Sequence, residues 1–172
     1  MKNDNVKSFT VLVAICVVVA ALMGIVNVIT APIIEKIEAQ KVQDAMLVVL
    51  PTGQNFTKLD VEVVNDSVQE IYAETNGGYV FKISATGYAS GMVIMCGINA
   101  DGVVTGATCI ASSETLEKEK TYDHSFVGKD SDSVDSVDTI TGATLTTSAY
   151  KEAIITALDM FELLTESEVQ ND

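Results

Sequence analysis

The chain has 172 residues, with ten Lys, no Arg, 24 acidic residues and one His, for a formal charge of −14. That balance opposes neutralisation of a nucleic-acid backbone, and no nucleic acid is expected as a partner. Three Cys, at 16, 96 and 109, include no C-x-x-C pair, so zinc knuckles, thioredoxin chemistry and iron–sulfur cages lack their ligands, and no metal site is expected.

Residues 1–8 form a short polar tail. From Phe9 to Ile34 there is no charged side chain, and Phe9 to Ala31 is 23 residues long. At about 1.5 Å per residue this gives roughly 34 Å of helix, enough to cross a hydrocarbon layer, so residues 9–31 are expected to be a transmembrane helix. A cleaved signal peptide has a shorter apolar region and a small-x-small site, which this run lacks. Lys2 and Lys7 precede the span while Lys36 and Lys41 follow it, so charge does not set the orientation. A short tail before the span and about 140 residues after it suit a single-pass protein of the cytoplasmic membrane. Its C-terminal domain is expected on the extracytoplasmic side. Pro32 marks a place for the helix to stop or bend.

Residues 32–51 read as a juxtamembrane helix. Ile34, Ile37, Ala45, Met46 and Val49 recur at near-helical spacing, and Pro51 ends it. It either packs on the following domain or stands as a solvated stalk. Residues 52–172 read as one domain. VQEIYAE, the turn Asn76-Gly77-Gly78 and YVFKISA form one hairpin candidate. GMVIMCGI and VVTGATCIA flank Ala100-Asp101-Gly102 and form another. At least four antiparallel strands follow, with no βαβ alternation, so the fold class is α+β. Cys96 and Cys109 sit at unequal offsets from the second turn, which disfavours a disulfide. Met92 and Met95 read as sheet filler. The tract Ser112–Asp138 reads mostly as solvated loop, with Lys129 either solvated or near a bound phosphate. A last helix is expected from about Ser148 to Thr165, with Tyr150, Ile154, Leu158, Phe161 and Leu164 on one face.

Before that helix stands Asp138-Thr139-Ile140-Thr141-Gly142-Ala143-Thr144-Leu145-Thr146-Thr147. Gly142 and Ala143 have almost no side chain and let another molecule approach. Four hydroxyls between Thr141 and Thr147, set at a helix N-terminus, suit a phosphate. Composition alone would equally allow a Thr-rich cap. The spacing D-x-x-[ST]-G-A-[ST] is rarer, with chance occurrence in such a chain on the order of one in a thousand. It resembles the acceptor signature of proteins flavinylated by an ApbE-type transferase.

Other features keep the same order: Leu50-Pro51, Gly87-Tyr88, the Asp-Gly hairpin, Ser113-Glu114-Thr115 and the final T-G-A-T-x-T-T. Together they resemble the FMN-binding domain family shared by the G component of Rnf electron-transport complexes and its counterpart in the sodium-pumping NADH:quinone reductase. The resemblance implies FMN bound covalently, as a phosphoester to Thr144. The transferase would take FAD and release AMP. Asp138 and Thr141 correspond to recognition positions, and Gly142 and Ala143 to the small pair beside the phosphate. Leu145 lies beside the attachment point, and Thr146 and Thr147 correspond to phosphate-holding hydroxyls. Glu114, Thr115 and Leu116 correspond to ring contacts, although the family's Glu-Thr-Pro-Gly turn is here Glu114-Thr115-Leu116-Glu117. The implied role is an electron carrier in a complex coupling ferredoxin:NAD electron transfer to Na⁺ or H⁺ movement. Its partners would be the other membrane subunits, and it would not turn over a small substrate alone. Alternatives are a flavinylated component of another extracytosolic electron-transfer system, or an anchored binding domain without a cofactor.

Overall fold

The computed structural model describes residues 2–60, 65–113 and 121–169, with side chains for 9–60, 65–113 and 121–167. The chain divides into two compact units, Met1–Gln40 and Lys41–Asp172.

Helix α1 covers Lys2–Val49. In the first unit its apolar side chains face outward all round, among them Leu12, Ile15, Val18, Leu22, Ile25 and Ile29. This is the pattern of a helix whose solvent is lipid. It is one helix long and apolar enough to cross a membrane. The helix neither stops nor divides at Pro32, which lies inside it. The proline only removes the N–H that would have bonded to the Val28 carbonyl.

The second unit is built on a five-stranded antiparallel sheet: β1 (Thr57–Leu59), β2 (Val68–Ala73), β3 (Tyr79–Ala85), β4 (Met92–Ile98) and β5 (Val104–Ala111). Spatial order equals chain order. The four expected strands are present within a residue or two of their expected limits. β1 is an addition: three mostly exposed residues on the sheet edge, too short to give a readable alternation. The register sets Cys96 opposite Ala107 and Cys109 opposite Ile94, so the two thiols are not cross-strand partners.

Alternation in the strands sends side chains to two separate cores. Phe81, Ile83, Met92, Ile94, Cys96 and Ile98 face one side. Helix α2 (Thr144–Val169) covers that side with Tyr150, Ile154, Leu158 and Phe161. Val80 and Met95 face the other side and pack against Val42, Ala45, Met46, Val49 and Leu50 from the end of α1. That end comes down on a glycine pair. Gly97 and Gly106 are cross-strand partners, and a Cβ on either would lie 2.4 Å from Val49 O or 2.8 Å from Val49 Cα. Thr105 Oγ1 donates to the same Val49 carbonyl at 2.5 Å and ties down the helix terminus.

The tract after β5 is more structured than a solvated loop. Two 3₁₀ turns, Asp123–Phe126 and Val134–Ser136, bury Phe126 and Val134, and Tyr122 and Val137 are also buried. Tyr122, Phe126 and Tyr150 form a ring cluster with centroids 5.1 to 5.8 Å apart.

Candidate functional site

The motif occupies the turn that feeds α2. Ala143 N–H donates to the Ile140 carbonyl at 2.9 Å, closing a tight turn over Ile140–Ala143. Its third residue, Gly142, has φ 88°. A turn of this kind needs a left-handed residue there, and glycine takes it without strain. Open space surrounds the position where a Cβ would stand, so the requirement is conformational rather than steric.

The helix starts at Thr144, four residues earlier than expected. Thr147 N–H donates to the Ala143 carbonyl at 2.9 Å, the first helical bond. The N–H groups of Thr144, Leu145 and Thr146 therefore belong to the first turn, which has no intrahelical acceptors. No acidic residue stands in that turn to compete with an anion. Thr144 is exposed, as are Asp138, Thr141 and Gly142, while Ala143 is buried beneath them. Leu145 is exposed beside Thr144.

Thr146 and Thr147 do not fit the phosphate-holding role implied by the family resemblance. Both are buried, at 1% and 0% exposure. The Thr147 hydroxyl accepts from Ile140 N–H at 3.2 Å and donates to the Ala143 carbonyl at 2.9 Å. It braces the turn from inside and is not presented to an outside ligand. The exposed hydroxyls of the motif are Thr139, Thr141 and Thr144. Glu114, Thr115 and Leu116 lie outside the described residues, and no contact of theirs is assigned.

A cavity of about 380 Å³ opens beside the motif. Thr121, Tyr122, Ser125 and Lys129 line it together with Ser136, Val137, Asp138 and Ile140. The Tyr122 hydroxyl is buried without a hydrogen-bond partner. Burial and the neighbouring Asp138 carboxylate both raise its pKa, so it stays a neutral donor. Lys129 is half-buried rather than solvated. Tyr122 and Ser125 were not among the sequence candidates, because one aromatic pair, Tyr122 and Phe126, is diluted in a polar tract. The i, i+4 spacing of that pair was the available signal. The Cys96 thiol is pushed up to about 12 by burial and stays an inert core group. Among the described residues no group of three or more His, Cys, Asp or Glu could hold a metal.

The residues present fit a flavin mononucleotide. An exposed hydroxyl adjoins an acceptor-free helix terminus, which suits a phosphate. The cavity lies in the size range of ligand sites and has mixed hydroxyl, aliphatic and aromatic walls.

Two comparisons bear on this geometry. Residues 87–159 match the family model of the FMN-binding domain, a span running from Gly87 to the middle of α2. The chain is also 28% identical over 186 aligned positions to the G subunit of the Na(+)-translocating ferredoxin:NAD(+) oxidoreductase complex of Acetobacterium woodii. That alignment covers 90% of each chain.

Proposed function

We propose, from the premise that residues 87–159 are an FMN-binding domain, that this chain is an FMN-carrying electron-transfer subunit of an Rnf-type complex. The observation that carries the attachment point is Thr144. It is the exposed hydroxyl at the end of D-x-x-T-G-A-T, set at the first turn of α2. The FMN is joined there as a phosphoester by an ApbE-type transferase.

FMN supplies the redox chemistry when bound. The chain's own residues bind and orient it. First-turn N–H groups and the helix dipole meet the phosphate charge. Gly142 and Ala143 leave room for the approach, and Thr147 holds the turn in shape from below. The apolar helix anchors the domain, on the extracytoplasmic side, among the complex's other membrane subunits. A tether keeps the cofactor where a lost flavin could not readily be replaced. The complex as a whole moves Na⁺ or H⁺ as electrons pass between ferredoxin and NAD.

The test is co-expression of the full chain with a flavin transferase, followed by intact mass measurement. The expected gain is one FMN minus water, with in-gel fluorescence under ultraviolet light. The Thr144→Ala variant is expected to show neither. An adduct that survives this substitution would move the attachment elsewhere.

A further inference from the structure

Lys129 stands out among the described lysines by its half-buried place at a cavity wall; Lys41, which also shows no ion pair among the described residues, is exposed. Residues 41–172 hold seven Lys against 21 acidic residues. Lys58, Lys82 and Lys151 each meet a carboxylate. Lys129 meets none among the described residues; its Nζ donates to Ser136 Oγ at 2.9 Å. Its backbone is held at both ends. The Lys129 carbonyl accepts from Val104 N–H at 2.8 Å, where β5 begins, and its N–H donates to the Phe126 carbonyl at 3.0 Å. A half-buried cation fixed at a cavity wall, unneutralised in an acidic domain, is a charge kept for a ligand.

We propose that this cavity seats the ring system of the flavin and that Lys129 is the counter-charge for the negative charge the ring gains on reduction. The inference rests on the attachment at Thr144 and goes beyond it. The cavity lining ends at Ile140 and does not include Thr144. The phosphate charge is met at the helix terminus, which leaves the ammonium in the cavity lining for another part of the ligand. Two electrons from a partner protein and one proton from solvent leave the ring one unit more negative. A fixed ammonium favours that state over the oxidised one. Asp138 lines the same cavity, and its exposed carboxylate opposes part of that effect. The buried, unpartnered Tyr122 hydroxyl is a neutral donor in the same lining.

The experiment uses the full-length chain, flavinylated by co-expressed transferase, as wild type, Lys129→Met, Lys129→Gln and Lys129→Arg. Mass measures loading, and a redox titration followed by flavin absorbance measures the midpoint potential. The Gln variant keeps a polar head for Ser136 and so separates loss of charge from loss of packing. Met and Gln variants are expected to load as wild type and titrate at a more negative potential. At the wild-type midpoint their reduced-to-oxidised ratio should fall about tenfold, or about 30 mV for a two-electron couple. The Arg variant should recover most of this. Loaded Met and Gln variants with the wild-type potential would overturn the proposal. Poor loading with an unchanged potential in the loaded fraction would assign Lys129 to the phosphate and also overturn it. A wild-type chain with no adduct is seen by mass before any titration and overturns the attachment itself.

Discussion

Thr144 and Thr147 are three residues apart and share a side chain type, yet they differ completely in exposure. Thr144 is exposed and Thr147 is fully buried, with its hydroxyl bonded to Ile140 N–H and the Ala143 carbonyl. Residues i and i+3 share one side of a helix, so the difference is one of depth: Thr144 stands at the open terminus, and Thr147, one turn in, is covered by the Ile140–Ala143 turn. Thr147→Val keeps the volume and removes the hydroxyl, which leaves the partly buried Ile140 N–H without a partner. That should cost about 1–2 kcal/mol in denaturant unfolding and slow flavin transfer to Thr144. Composition announced a cluster of hydroxyls and a place for phosphate. It could not distinguish a hydroxyl offered to a ligand from one that braces the turn, because that depends on which residues the Ile140–Ala143 turn covers. Burial of Thr146 and Thr147 also outweighs the weak helix propensity of threonine and draws the start of α2 forward to Thr144.

At the scale of elements, two contacts hold the sheet's outer face. The first is the crossing of α1 over Gly97 and Gly106. Gly106→Ala would place a Cβ 2.8 Å from Val49 Cα, where only backbone can yield. The expected loss is about 1–3 kcal/mol, read as a lower melting temperature. The second is Glu70 on β2, which accepts from Lys58 on β1, Lys82 on β3 and Tyr72. Burial raises its pKa, but those hydrogen bonds outweigh it and hold it at about 2, below the ordinary 4.5. A carboxylate depressed on folding stabilises the fold at pH above about 4.5. That contribution fades as pH falls towards 2. Glu70→Gln should therefore be less stable than wild type at neutral pH, by about 1–2 kcal/mol after solvent screening, with the gap closing in acid. Paired melts at pH 7 and pH 3 measure it. The strands from Val68 to Ala111 were legible because short runs rich in apolar and β-branched residues are separated by Asn-Gly-Gly and Asp-Gly turns. The 3₁₀ turns at Asp123–Phe126 and Val134–Ser136 were not, since each buries one apolar side chain within a polar run.

For the whole molecule, charge and hydropathy are segregated. Residues 1–40 carry three Lys and three acidic residues, so the excess of −14 belongs to the second unit. That unit has its own two-sided core. Removing residues 1–40 should give a fragment that stays in solution without detergent and still accepts flavin at Thr144. Mass measurement and sedimentation in detergent-free buffer check this, and a fragment that aggregates would mean that α1 supplies more than an anchor. The anchor and the acidic domain were plain from the sequence. The second core was not, because residues 32–51 read equally well as stalk or as packing helix, and the glycine pair that seats Val49 lies on distant strands.

Because spatial order in the sheet follows chain order, every strand pairs with its sequence neighbour, and local hairpins can form while the polypeptide is still being made. The larger core is sealed only by α2, whose last described residue is Val169. On the proposed attachment, Thr144 reaches its working geometry only once α2 has docked on the sheet. Cofactor attachment would then be a late checkpoint in biogenesis: a misfolded copy would present no correctly shaped loop to the proposed maturation enzyme and would stay colourless.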